Sequence, residues 1–214
     1  MKKIYMLMED KWHPRDVILA GMEAALGKDS FVAAVNPEEI PWSKLADEAS
    51  VFVSQKGENQ ELPDGSKFKW ITAEREKFVW DFVNGGGGAL FIHCGTVLDD
   101  AGGQWFRMSG GTFLHHPPQL PVTYVPIKGS HPIVEGVEPF TVPDEHYHCE
   151  IRVKDISPFM IGGSEKNPGT LTGWGQEIGK GRTAALTPGH TIEAAANPNM
   201  ARLIRNAVAW LSRR

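Results

Sequence analysis

Cysteine is scarce in this chain, charge of either sign is nearly balanced, and long apolar runs are missing. Two cysteines, Cys94 and Cys149, in 214 residues are too few for a disulfide framework, and their separation has no zinc-finger form. Twenty-two Lys and Arg against 26 Asp and Glu leave a formal charge of −4, which gives no electrostatic grip on nucleic acid. No stretch approaches the ~20 apolar residues a membrane helix needs, so neither nucleic acid nor membrane is an expected partner. Lys2 and Lys3 precede a short apolar run, but charge returns at Glu9 with no small-residue cleavage site. That pattern fits an intracellular, cytoplasmic protein better than a secreted one.

What remains is an ordinary globular composition, 41% hydrophobic and 22% charged, with no shift that divides the chain; one domain over 1–214 is expected. The seven tryptophans are many for this length. Most belong in a core, and some could line a sugar or polyol site, because indole pairs a large apolar face with one N–H donor.

Periodicity orders the first half. Lys3 to Met8 reads as a buried strand, Arg15 to Leu26 as a helix ending at Gly27, Phe31 to Val35 as a second strand, and Ser50 to Ser54 as a third. Thr72 is a candidate N-cap for a helix carrying Phe78, Val79, Phe82 and Val83, and the run Gly85-Gly86-Gly87-Gly88 leads into a strand ending at His93. Strands separated by helices predict a parallel sheet covered on both faces. The second half reads as looser and β-rich, with strands expected at 122–127, 151–153, 159–163, 171–174 and 183–187, and a closing helix over 199–211.

Chemistry-bearing residues gather at the expected strand ends. They are Glu9 with His13, His93-Cys94, His115-His116, the run Asp144-Glu145-His146-Tyr147-His148, and Thr187-Pro188-Gly189-His190. Imidazole titrates near neutrality and ligates metals readily, so such a concentration matters if the clusters converge. His93, on a tight strand-to-helix turn with Gly95 two positions on, stands where a nucleophile elbow carries Ser or Cys. Cys94 reads as a buried thiol or, with a shifted register, a nucleophile. In an extended segment Glu145, Tyr147 and Cys149 share one face and Asp144, His146 and His148 the other. Glu145 and Tyr147 suit acid–base work or hydroxyl recognition; His146 and His148 suit a metal or are simply solvated.

Six segments in one order carry a resemblance: the glycine run into Leu90-Phe91-Ile92-His93, then 110–117, 130–133, 143–147, 179–182 and 187–190. Together they resemble the ThuA-like, trehalose-utilisation family. The resemblance implies an α/β flavodoxin-like three-layer sandwich with a mainly parallel central sheet, of the class I glutamine amidotransferase kind. Aligned so, the amidotransferase Cys falls on His93, and without a thiol there no glutaminyl thioester can form. It also implies site roles for His13, His93, Asp144, Glu145, Tyr147 and His190, and for His116 ahead of His115. A sugar ligand follows, since the family is associated with breakdown of trehalose and related disaccharides.

The resulting expectation is an enzyme that hydrolyses or isomerises a sugar derivative. His93, Glu145, His190 and Tyr147 would be catalytic, with His13, His116, Asp144 and Glu9 against the substrate. His93 and His190 could hold a divalent metal, zinc or manganese. The rival readings are a sugar-binding or sensing protein that performs no chemistry, and a structural protein. The tryptophans and the β-rich second half would also permit a homo-oligomer.

Overall fold

A computed structural model describes residues 2–61, 64–99 and 102–213. Its first strand shows how the sequence works. β1 (Lys3–Met8) is buried from Ile4 to Met8, with Ile4, Met6 and Met8 in one core and Tyr5 and Leu7 in another. Only a strand with both faces covered uses such an unbroken apolar run. α1 (Arg15–Leu26) buries Ile18, Gly21, Met22 and Ala25 at i, i+3, i+4 and i+7, and stops at Gly27, whose φ of 85° a side chain would resist. β2 (Val32–Ala34), the short α2 (Leu45–Glu48) and β3 (Ala49–Gln55) follow.

β4 (Asn59–Glu61) and β5 (Lys67–Lys69) form a separate hairpin. α3 (Ala73–Asn84) starts as expected, with Thr72 accepting the Arg75 N–H, and turns Val79, Phe82 and Val83 inward. β6 (Gly88–Ile92) is buried throughout. Each large apolar side chain so covered contributes roughly 1.5–3 kcal/mol.

The later half is more regular than its sequence. α4 (Gln104–Ser109) carries Trp105, Phe106 and Met108 into the core. Then come β7 (Thr112–His115), β8 (Leu120–Pro126), β9 (Phe140–Asp144), β10 (His148–Glu150), β11 (Ser157–Ser164), β12 (Asn167–Ile178) and β13 (Gly181–Leu186), followed by α5 (Ile192–Ala195) and α6 (Pro198–Leu211). The strand expected at 151–153 is irregular; pairing occurs just before it, where β10 joins β7.

Among the described residues nine strands form one sheet in the order β2-β1-β3-β6-β13-β12-β11-β8-β9. The expectation of a mainly parallel sheet needs correction. The four pairings from β2 to β13 are parallel and the four from β13 to β9 antiparallel. The cause is connection length. Parallel neighbours need crossovers of a dozen or more residues, whereas only Glu165-Lys166 links β11 to β12 and Gly179-Lys180 links β12 to β13. Because β1, β3, β6 and β13 run the same way, the loops after all four emerge at one edge.

Candidate functional site

His93 ends β6 in the left-handed region, at φ 47°, and the chain turns at once into a 3-10 segment over His93–Thr96. A non-glycine residue there carries strain that the surroundings must impose. They do so by close packing, since a Cβ at Gly95 would run into the Ser54 carbonyl oxygen of β3. The fully buried His93 ring donates Nδ1–H to the Thr187 carbonyl at 2.7 Å. A carbonyl can only accept, so in the neutral ring Nε2 is left as a lone pair.

The same logic applies to His13. Its Nδ1 lies 2.6 Å from Asp10 Oδ1, and Asp10 also accepts the backbone N–H groups of Trp12, His13 and Gly57. Burial alone would raise the Asp10 pKa, but the hydrogen bond and charge of His13, with the backbone donors, hold it well below the usual range. An ionised carboxylate fixes the proton on His13 Nδ1, leaving Nε2 as acceptor. His13 Nε2 is buried and meets no hydrogen-bond partner among the described residues.

Glu145 and His190 complete the cluster. The loop after β13 is clamped by Asp144, whose buried carboxylate accepts the N–H groups of Gly189 at 3.0 Å and His190 at 2.9 Å. His190 Nδ1 then sits 3.1 Å from Glu145 Oε2 and 3.4 Å from His93 Nε2, and His93 Nε2 lies 3.5 Å from Glu145 Oε2. Four donor atoms, one each from His13, His93, Glu145 and His190, fall within 4.8 Å of one another. A tetrahedral cation about 2.0–2.2 Å from its ligands needs them roughly 3.3–3.6 Å apart, so three of these side chains already stand close to coordination spacing. Burial works against ionisation of Glu145, but the imidazoles of His190 and His93 outweigh it and hold the carboxyl low. His190 is raised, chiefly by its hydrogen bond to Glu145.

His13, Glu145 and His190 line a cavity of about 770 Å³, with the fully buried His93 packed behind them. Tyr147 stacks on His93, centroids 4.1 Å apart, and burial pushes its phenol well above the usual value, so it stays a donor. His116 brings Nε2 to 3.4 Å from Glu145 Oε1 while Nδ1 contacts the Pro117 carbonyl. Cys94 is completely buried, and burial together with the Asp10 charge drives its pKa far up, which keeps it a thiol.

The structure thus brings together His13, His93, His116, Glu145, Tyr147 and His190. Two expected contacts lie elsewhere. Glu9 is outside the cavity lining, and its carbonyl receives the buried Lys56 ammonium; Asp10 takes the place in the site given to Glu9. Asp144 is fully buried and acts through the backbone of Gly189 and His190, not toward a substrate. His146 and His148 point away from the site, His146 to Ser164 and Thr170 and His148 onto His115. Sequence reasoning missed Asp10, although a carboxylate three residues before a loop histidine was a signal for it.

Comparison with known proteins now bears on the assignment. The family model for ThuA, trehalose utilisation, matches residues 38–211. The chain belongs to the ThuA family. A ThuA-like protein of Bacteroides uniformis superposes with a TM-score of 0.71 at 19% identity, covering 99% of this chain and 91% of that one. A ThuA-like protein of Parabacteroides merdae gives 0.72 at 15%, covering 99% and 90%. A cytoplasmic protein of Salmonella typhimurium gives 0.65 at 12%, covering 99% of both. At these identities the ThuA neighbours establish the fold alone. No curated protein sequence matches the chain. Among the described residues no helix is long and apolar enough to cross a membrane.

Proposed function

We propose that this ThuA-family protein is a metal-assisted enzyme of carbohydrate catabolism that hydrolyses or isomerises a sugar derivative. In this reading His13, His93, Glu145 and His190 hold a divalent cation, zinc or manganese. The observation that carries the proposal is His13 Nε2, a buried lone pair with no partner among the described residues, aimed at a second imidazole and an ionised carboxylate. A cation placed between these acceptors would satisfy all three at once. A proton on His190 satisfies Glu145 but leaves His13 unanswered.

Such a cation polarises a carbonyl or acidifies water; the side chains around it handle protons and orientation. His116, a third exposed, places Nε2 beside Glu145 Oε1 and can pass a proton to or from a sugar oxygen. Tyr147 supplies a hydrogen bond to the substrate from its protonated phenol. Cys94 contributes no nucleophile, so amidotransferase chemistry is absent from the scheme.

The family's association with trehalose utilisation supports a sugar substrate. The strand order β2-β1-β3-β6-β13 supports reading the parallel half as flavodoxin-like, with ligands beyond the strand ends. The Salmonella neighbour's name supports a cytoplasmic location. The test is turnover of trehalose, related disaccharides and their 3-keto forms by mass spectrometry, with zinc- or manganese-loaded and chelator-treated protein. Product from loaded protein alone supports the proposal; saturable binding with no product in either form favours the sensing alternative.

A further inference from the structure

The cavity is larger than its catalytic end requires, and its outer part has a composition of its own. Trp12 lines it with 67% of its surface exposed, while Trp42, Trp70, Trp105 and Trp174 are buried. The indole is held in place. The Trp12 backbone N–H donates to Asp10 Oδ1 at 3.0 Å, and Lys11 covers one face of the ring, Nζ 4.9 Å from the centroid. Lys11 is in turn anchored at 2.8 Å to both carboxylate oxygens of Glu61 on β4. Trp12 also directly precedes His13, so the element that aims a candidate ligand into the centre also sets the indole at the mouth.

The same lining carries half-buried Asn59, which donates to Asp99, and exposed Glu61, which pairs with Lys11, together with exposed Lys67 and Gln119, while Phe113 packs on Tyr147. An aromatic face beside planar amides and carboxylates matches one ligand chemistry well. A pyranose ring offers an apolar C–H face to the indole and equatorial hydroxyls to the polar groups.

We propose that Trp12 is the stacking platform for the second ring of a disaccharide whose first ring sits at the His/Glu centre. This rests on the carbohydrate reading above but not on the metal. It makes Trp12 a specificity-determining residue, giving disaccharides their advantage over monosaccharides.

The experiment uses the full chain and titrates trehalose, maltose, cellobiose and sucrose, beside glucose and methyl glucoside, by calorimetry. Wild type, Trp12→Ala and Trp12→Phe are compared, with metal content and melting temperature measured on each. The expected result is at least one disaccharide bound tenfold or more tightly than either monosaccharide. That preference is lost in Trp12→Ala and largely kept in Trp12→Phe, with metal content unchanged. No disaccharide preference in wild type, or an equal preference in Trp12→Ala, overturns the subsite. So does a Trp12→Ala change that only converts a dimer to monomers, which would assign the exposed indole to self-association. A wild type that neither holds nor takes up added zinc or manganese, yet keeps the preference, would instead overturn the metal reading and leave the subsite standing.

Discussion

Asp144 is the residue on which the geometry of the centre depends without its touching substrate, and replacing it with asparagine isolates that role. One fully buried carboxylate accepts the Tyr124 hydroxyl at 2.9 Å and the N–H groups of Gly189 at 3.0 Å and His190 at 2.9 Å. An asparagine of the same shape has one acceptor oxygen. Tyr124 can rotate to accept from the new NH2 group, but a backbone N–H cannot, so in either amide orientation one N–H faces another donor. An orphaned buried donor costs about 1–3 kcal/mol, and losing a charged acceptor adds about 1 more, for a total near ~3 kcal/mol. For a chain of this size that corresponds to a melting-temperature drop of roughly 6–12 °C. Differential scanning calorimetry reads it directly. A drop of less than about 2 °C would refute the clamp, because the predicted cost is several times larger.

Gly95→Ala should lower stability by at least about 3 kcal/mol, measured by urea unfolding, because its Cβ meets the Ser54 backbone oxygen and the 3-10 turn cannot draw away from β3 without disturbing the β3–β6 pairing that precedes it. Asp10→Asn should weaken zinc binding about 10–100-fold in a chelator competition, since Asp10 sets the His13 tautomer. His131 carries a lowered pKa, from burial and then the Arg182 charge, and its Nδ1 accepts the Ile133 N–H. The unfolded chain therefore takes up a proton that the folded chain refuses. Stability should be full above pH ~6.5 and fall as pH drops below it, with a smaller slope in His131→Asn in calorimetry scans between pH 7.5 and 5.

The first half of the fold was legible because its signals were local and redundant. α1 begins at Arg15 and ends at Leu26 where periodicity and Gly27 placed it, and α3 is capped by Thr72. The second half was not, because β12 is a twelve-residue strand containing Gly169, Gly173 and Gly175, which reads as broken. Gly173 and Gly175 admit neighbouring side chains, Phe159 at the first and His131 and Trp210 at the second, a tertiary reason that no local pattern carries. At the site, the alternation of Glu145 and Tyr147 against His146 and His148 was readable, and so was the elbow at His93. The place of Asp10 was not, because choosing it over Glu9 depends on the left-handed turn at Glu9, φ 68°.

The most direct test of a cation centre built by His13, His93, Glu145 and His190 is elemental mass spectrometry of untagged protein purified without chelator. About one equivalent of zinc or manganese per chain is predicted for wild type, and close to none for His13→Ala and Glu145→Ala variants that retain the wild-type fold. A metal-free wild type that also fails to take up added zinc or manganese would contradict it. Undiminished metal in both variants would contradict it equally.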